Sequence, residues 1–119
     1  MVVPLPLNLA NSRLHWAAKM RAKRAYWGAL TARKQARIIP PPPRHWPPFA
    51  RVEMTLYVAQ RMDKGNAYNR VKWLEDWLAG HGYIAGDRED QIELVVSQKV
   101  DRKNQRVQLT ITPIEGIPK

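Results

Sequence analysis

At 119 residues, 45% of them apolar, the chain is long enough to bury a core as one domain over 1–119, and with no cysteine it has neither disulfides nor thiolate metal sites. No apolar run approaches the roughly 20 residues of a membrane span, and the opening MVVPLPLNLANSR lacks the charged leader of a secretory signal, so a cytoplasmic setting is expected. The net charge of +10 is segregated: residues 1–52 hold ten Lys or Arg and no acid, whereas residues 53–119 hold ten basic and ten acidic residues. That asymmetry points to an anionic partner, nucleic acid first, because Lys and Arg gain affinity by releasing the counterions condensed on phosphates. A surface kept basic for solubility and an anionic membrane surface are the alternatives.

In chain order, residues 2–7 read as a short strand that Pro4 and Pro6 confine to a sheet edge, and residues 8–16 as irregular. Residues 20–38 read as the first helix, with Ala22, Tyr26, Ala29, Leu30 and Ala36 on its apolar face. Lys19, Arg21, Lys23, Arg24, Arg33, Lys34 and Arg37 occupy much of the rest, as a solvated face or a row of phosphate contacts. The proline-rich 40–48 segment predicts a stiff polyproline connector, with a docking ligand as the alternative.

Val52, Met54, Leu56 and Val58 alternate with polar residues and predict a half-buried strand, followed by a 60–65 loop carrying Arg61, Asp63 and Lys64. Residues 66–81 form the clearest helix pattern. Ala67, Val71, Leu74, Leu78 and His81 face one way, and Tyr68, Lys72, Glu75 and Asp76 the other. Asn66 is the expected N-cap and Gly82 the terminator. An acid-rich loop spans 83–90. Two strands follow, marked by Ile92, Leu94 and Val96 and by Val107, Leu109 and Ile111, with residues 101–104 as the turn of a hairpin. The order β-α-β-α-β-β predicts an α/β (α+β) fold, one mixed sheet of about four strands with two main helices.

There is no Gly-rich phosphate loop, paired-His metal motif or serine elbow, and His15, His45 and His81 read as packing or surface residues. Trp73 and Trp77, four apart, read as packing rather than stacking residues. Trp16 and Trp46, beside basic residues, are the better candidates for base stacking. Asp87, Glu89 and Asp90 cluster in one loop, and Asp63 precedes the second helix, with Asn66 and Lys72 near its start. If the two loops converge, carboxylates would hold Mg²⁺ and Lys72 a scissile phosphate; otherwise the acids are simply solvated.

The chain resembles the RusA family of phage-type Holliday junction resolvases over nearly its whole length. The likeness is carried by Pro4-Leu5-Pro6-Leu7-Asn8, by the basic first helix, and by the closing strand at 106–112. Its most specific part is the family motif Asp-x-Asp-Asn-x-x-Lys, here Asn66-Ala67-Tyr68-Asn69-Arg70-Val71-Lys72. Asp76-Trp77-Leu78, Gly82 and Gly86-Asp87 follow, where the family has a helix, a Gly and an acidic pair. The resemblance implies a homodimer that binds four-way DNA junctions in recombination and repair, and a Mg²⁺- or Mn²⁺-dependent endodeoxyribonuclease. Arg13, Lys19, Arg21, Lys23, Arg24, Arg33, Lys34, Arg61, Lys64 and Arg70 are the expected DNA contacts. Asp87, Lys72 and Asp63 are the expected catalytic residues, with Asp87, Asp63, Asp90 and Asn66 as metal ligands. Two family acids are replaced, by Asn66 and Tyr68, and the acidic pair becomes Gly86-Asp87, or Glu89-Asp90 with an insertion. Losing two anionic ligands weakens divalent-ion binding, so a non-catalytic branched-DNA binder is the alternative. A protein-interaction adaptor using the proline segment and the tryptophan pair is the third reading.

Overall fold

The computed structural model describes residues 1–6, 16–42, 49–85 and 92–114. The elements in chain order are β1 (Val2–Val3), α1 (Trp16–Gln35), β2 (Ala50–Val58), α2 (Lys64–Arg70), α3 (Lys72–Gly80), β3 (Ile92–Val100) and β4 (Arg106–Pro113). They build the expected α+β fold around one mixed four-stranded sheet of order β1-β4-β2-β3. β1, shortened by its prolines to two residues, sits at the edge.

β2 takes the centre because its alternation is the most complete: Ala50, Val52, Met54, Leu56 and Val58 are all buried. β3 runs parallel to it on one side and β4 antiparallel on the other. The expected hairpin is therefore corrected, since β2 lies between the two strands that residues 101–104 were to join. Residues 101–105 step across its end, about 10 Å at normal strand spacing. The step is anchored there, with the Asp101 N–H donating to the Val58 carbonyl at 2.9 Å and Arg102 Nε to the Ala59 carbonyl at 3.3 Å.

One face of the sheet carries the core. Tyr26 and Leu30 of α1, Leu74, Trp77 and Leu78 of α3, and Ile39 and Ile84 of the connections are buried in one cluster with the sheet's apolar residues. Trp27 Nε1 donates to the Trp73 carbonyl (2.9 Å) and Trp77 Nε1 to Thr31 Oγ1 (3.2 Å), tying α1 to α3. The other face is polar, with Arg51 paired to Glu93 at 3.2 Å and Thr55 bonded to Ser97 across the strands.

The helices depart from expectation in three ways. α1 begins at Trp16 and ends at Gln35, not 20–38, and of its expected apolar face only Tyr26 and Leu30 are buried. Its end is a Schellman motif: Ile38 N–H donates to Arg33 and Arg37 N–H to Lys34, which requires a left-handed residue, and Arg37 takes it with φ 61°. The single helix expected over 66–81 is two, broken at Val71 (φ −91°, ψ 1°), because each half packs on a different neighbour. α2 is tied to β3 by the Tyr68 hydroxyl donating to the Leu94 carbonyl, and α3 packs on α1. Asp63, not Asn66, is the N-cap, so Lys64 and Gly65 join the helix rather than the loop. Gly82 does terminate α3, at φ 82°. Glu75, expected on the solvent side, is buried at 7% exposure.

Candidate nucleic-acid interface

The basic residues of α1 do not form one outward row. At 100° per residue, Lys19, Lys23, Arg33 and Lys34 fall within about 60° of the Tyr26–Leu30 stripe, whereas Arg21 and Arg24 point away. The first four are accordingly half-buried, and Arg21 and Arg24 exposed. Their aliphatic stems lie along the protein while the charged heads reach its margin. Lys23 Nζ sits 4.5 Å from the Trp27 ring centroid, and Lys34 Nζ lies 3.3 Å from His81 Nδ1 and over the Tyr83 ring.

Arg33 and Arg70 converge with Arg106 on an open cleft of about 760 Å³ beside β1. The cleft is also lined by residues 2–6, Ile38, Asn104 and Gln105, with no acid among its described lining residues. Arg70 Nε donates to the Pro6 carbonyl at 2.8 Å, and its partial burial lowers the guanidinium pKa. Arg106 is clamped, its guanidinium stacked 3.7 Å from the Tyr57 centroid while Nη1 donates to Asp101 Oδ2 (3.0 Å) and to the Asn104 carbonyl (2.8 Å). That bond from Arg106, together with the Asn104 and Lys103 N–H groups, holds the Asp101 carboxyl below the usual carboxylate range. Tyr26 donates to the Pro4 carbonyl at 2.7 Å, and burial pushes its phenol pKa far up. The chain entering the cleft is thus fixed by α1 and α2 together. Arg106 is the member that sequence reading missed. Its place follows from the β1–β4 pairing, Val2 opposite Gln108 and Val3 opposite Val107, which no local pattern announces.

The expected metal residues are met in part. Asp63 Oδ1 accepts from the Asn66 N–H (2.8 Å) and Oδ2 from Asn66 Nδ2 (3.0 Å), so both carboxylate oxygens serve the start of α2. Asn66 turns its amide N–H toward the acid. Lys72, beyond the break at Val71, pairs with Asp76 at 3.4 Å. Tyr68 spends its hydroxyl on the edge strand β3. Among the described residues no three His, Cys, Asp or Glu gather as a metal site. The described donors offer one carboxylate, already a cap, and do not by themselves fit Mg²⁺. Asp87, Glu89 and Asp90 lie outside the described residues, as do Arg13 and the tryptophan and histidine of the proline segment. Arg61 and Lys64 are exposed near the start of α2, Arg61 Nη2 donating to the Gln98 carbonyl and Lys64 facing the Tyr68 ring.

Of the aromatic candidates, Trp77 is buried and its ring stacks with those of His81 (4.3 Å between centroids) and Tyr83 (5.5 Å). Trp16, at the start of α1, is 70% exposed. No described helix is long and apolar enough to cross a membrane. No family model, curated protein or solved structure matches the chain.

Proposed function

We propose that the protein binds branched DNA, in the manner the RusA resemblance implies, through the basic surface that α1 and the adjoining cleft present. The observation that carries this is the segregation of all ten net charges into residues 1–52. The convergence of Arg33 and Arg70 on a cleft with no acid among its described lining residues supports it. Arg33 and Arg70, with no ion pair among the described residues, can meet phosphates without first breaking an internal pair. A homodimer would match the equivalent strands of a four-way junction, and belongs to the same proposal.

A second reading, a divalent-metal-dependent endodeoxyribonuclease, rests on the RusA resemblance and on Lys72 at the start of α3. Mg²⁺ or Mn²⁺, when bound, would supply the activated water and stabilise the leaving oxygen. Lys72 would hold the phosphate, and Asp63, Asp87 and Asp90 the ion. The binding-only reading is preferred because Tyr68 stands where the resembled family has an acid and both Asp63 oxygens are taken by Asn66.

Gel shift of a synthetic four-way junction against linear duplex, across a salt series, tests the binding. The expected result is a junction-preferring shift that weakens with salt. Nicking of the same junction with Mg²⁺ or Mn²⁺, abolished by Asp87→Asn, would establish the nuclease. Nicking unchanged by Asp87→Asn would discard the site named here.

A further inference from the structure

We propose that the cleft beside β1 seats one or two unpaired nucleotides of a DNA strand, phosphates against Arg33 and Arg70 and a base against the apolar wall. This rests on the DNA-binding reading above and names what one part of that surface holds. Three features select this occupant. The described lining has three arginines and no acid, so it favours an anion. Of the two that meet the phosphates, Arg70 is already fixed on the Pro6 carbonyl, so less side-chain freedom is lost on binding. Arg106 is neutralised by Asp101, whereas Arg33 and Arg70 have no ion pair among the described residues and bring their full charge.

The third feature is apolar. Val2 and Ile38, 52% and 65% exposed, stand in the wall of a charged cleft, where a bare phosphate gains nothing from them. An unpaired base offers a flat face to such a wall and edges to the Asn104 and Gln105 amides. A paired base in duplex has its faces stacked away. A concavity of about 760 Å³ is the size of a small-ligand site, so it admits single nucleotides and not a double helix.

The test is fluorescence anisotropy of a short labelled oligothymidylate at low salt, with the four-way junction measured alongside. Arg33→Gln should weaken oligothymidylate binding roughly tenfold, the effect of one charged hydrogen bond. Ile38→Glu, which sets a carboxylate in the wall at an exposed position, should weaken it at least as much without disturbing the fold. Lys99→Gln, the same charge change on β3 at the opposite sheet edge, should leave it within about twofold. Wild-type affinity in both Arg33→Gln and Ile38→Glu, or an equal loss in Lys99→Gln, overturns the proposal. Junction binding by a protein that ignores oligothymidylate overturns the cleft proposal alone; binding of neither overturns the DNA reading with it.

Discussion

Asp63 and Asn66 are locked to each other: the Asn66 backbone N–H and side-chain amide each donate to one oxygen of the Asp63 carboxylate, at 2.8 and 3.0 Å. Asn caps a helix about as well as Asp, whereas Ala does not. Asp63→Ala should therefore cost about 1 kcal/mol in urea unfolding, and Asp63→Asn only a few tenths. The pair of variants separates capping from metal binding. If Asp63 also holds a divalent ion, Asp63→Asn keeps the stability and loses the metal-dependent nicking.

Arg37 closes α1 in the left-handed region at φ 61°, where a Cβ meets the following carbonyl. Glycine is the usual occupant of that position in a Schellman motif. Arg37→Gly should stabilise the fold by about 0.5–1 kcal/mol, the relief of strain less the added freedom of the unfolded chain. A higher urea midpoint with unchanged slope is the expected reading; an unchanged or lower midpoint counts against it.

The Tyr68 hydroxyl donates to the Leu94 carbonyl at 3.3 Å on the unpaired side of an edge strand. Tyr68→Phe should cost about 0.5–1.5 kcal/mol, the ordinary worth of one such bond. It should speed hydrogen exchange in β3 more than in β2, and equal change in both strands would be the contrary result.

His81 accepts from Lys34 through Nδ1 while stacked on Trp77, with Asp76 lining the same hollow and Tyr83 also stacked on the indole. Desolvation, and then the Lys34 charge, lower its pKa below the free value of 6.5. The unfolded chain therefore takes up a proton there before the folded one does. Stability is whole above pH of about 6.5 and falls as pH drops toward the folded value. His81→Gln should flatten that part of the stability–pH curve between neutral and mildly acidic pH. A curve of unchanged shape would remove His81 as the source.

What the sequence made legible follows from which forces are local. The alternation at 52–58 and the apolar spacing of Ala67, Val71, Leu74 and Leu78 are read directly because burial imposes those periods. Pro4 and Pro6 likewise announce an edge strand. The hairpin expectation failed because periodicity identifies strands but not neighbours, and β2 outcompetes β3 for the place beside β4. The break at Val71 and the burial of Glu75 arise from packing between distant segments. At the candidate site, Arg33 and Arg70 were legible as basic residues in a basic context. Their meeting with Arg106 depends on the β1–β4 pairing, a contact more than 100 residues apart in the chain.

The central claim is that residues 1–52 hold phosphates, and the dependence of junction affinity on salt measures this most directly. Engagement of five phosphates gives a slope of log affinity against log salt of about −4.5. A slope of about −4 or steeper, with the junction bound more tightly than linear duplex at every salt, is the predicted result. A slope near zero, or no binding at low ionic strength, would contradict the account.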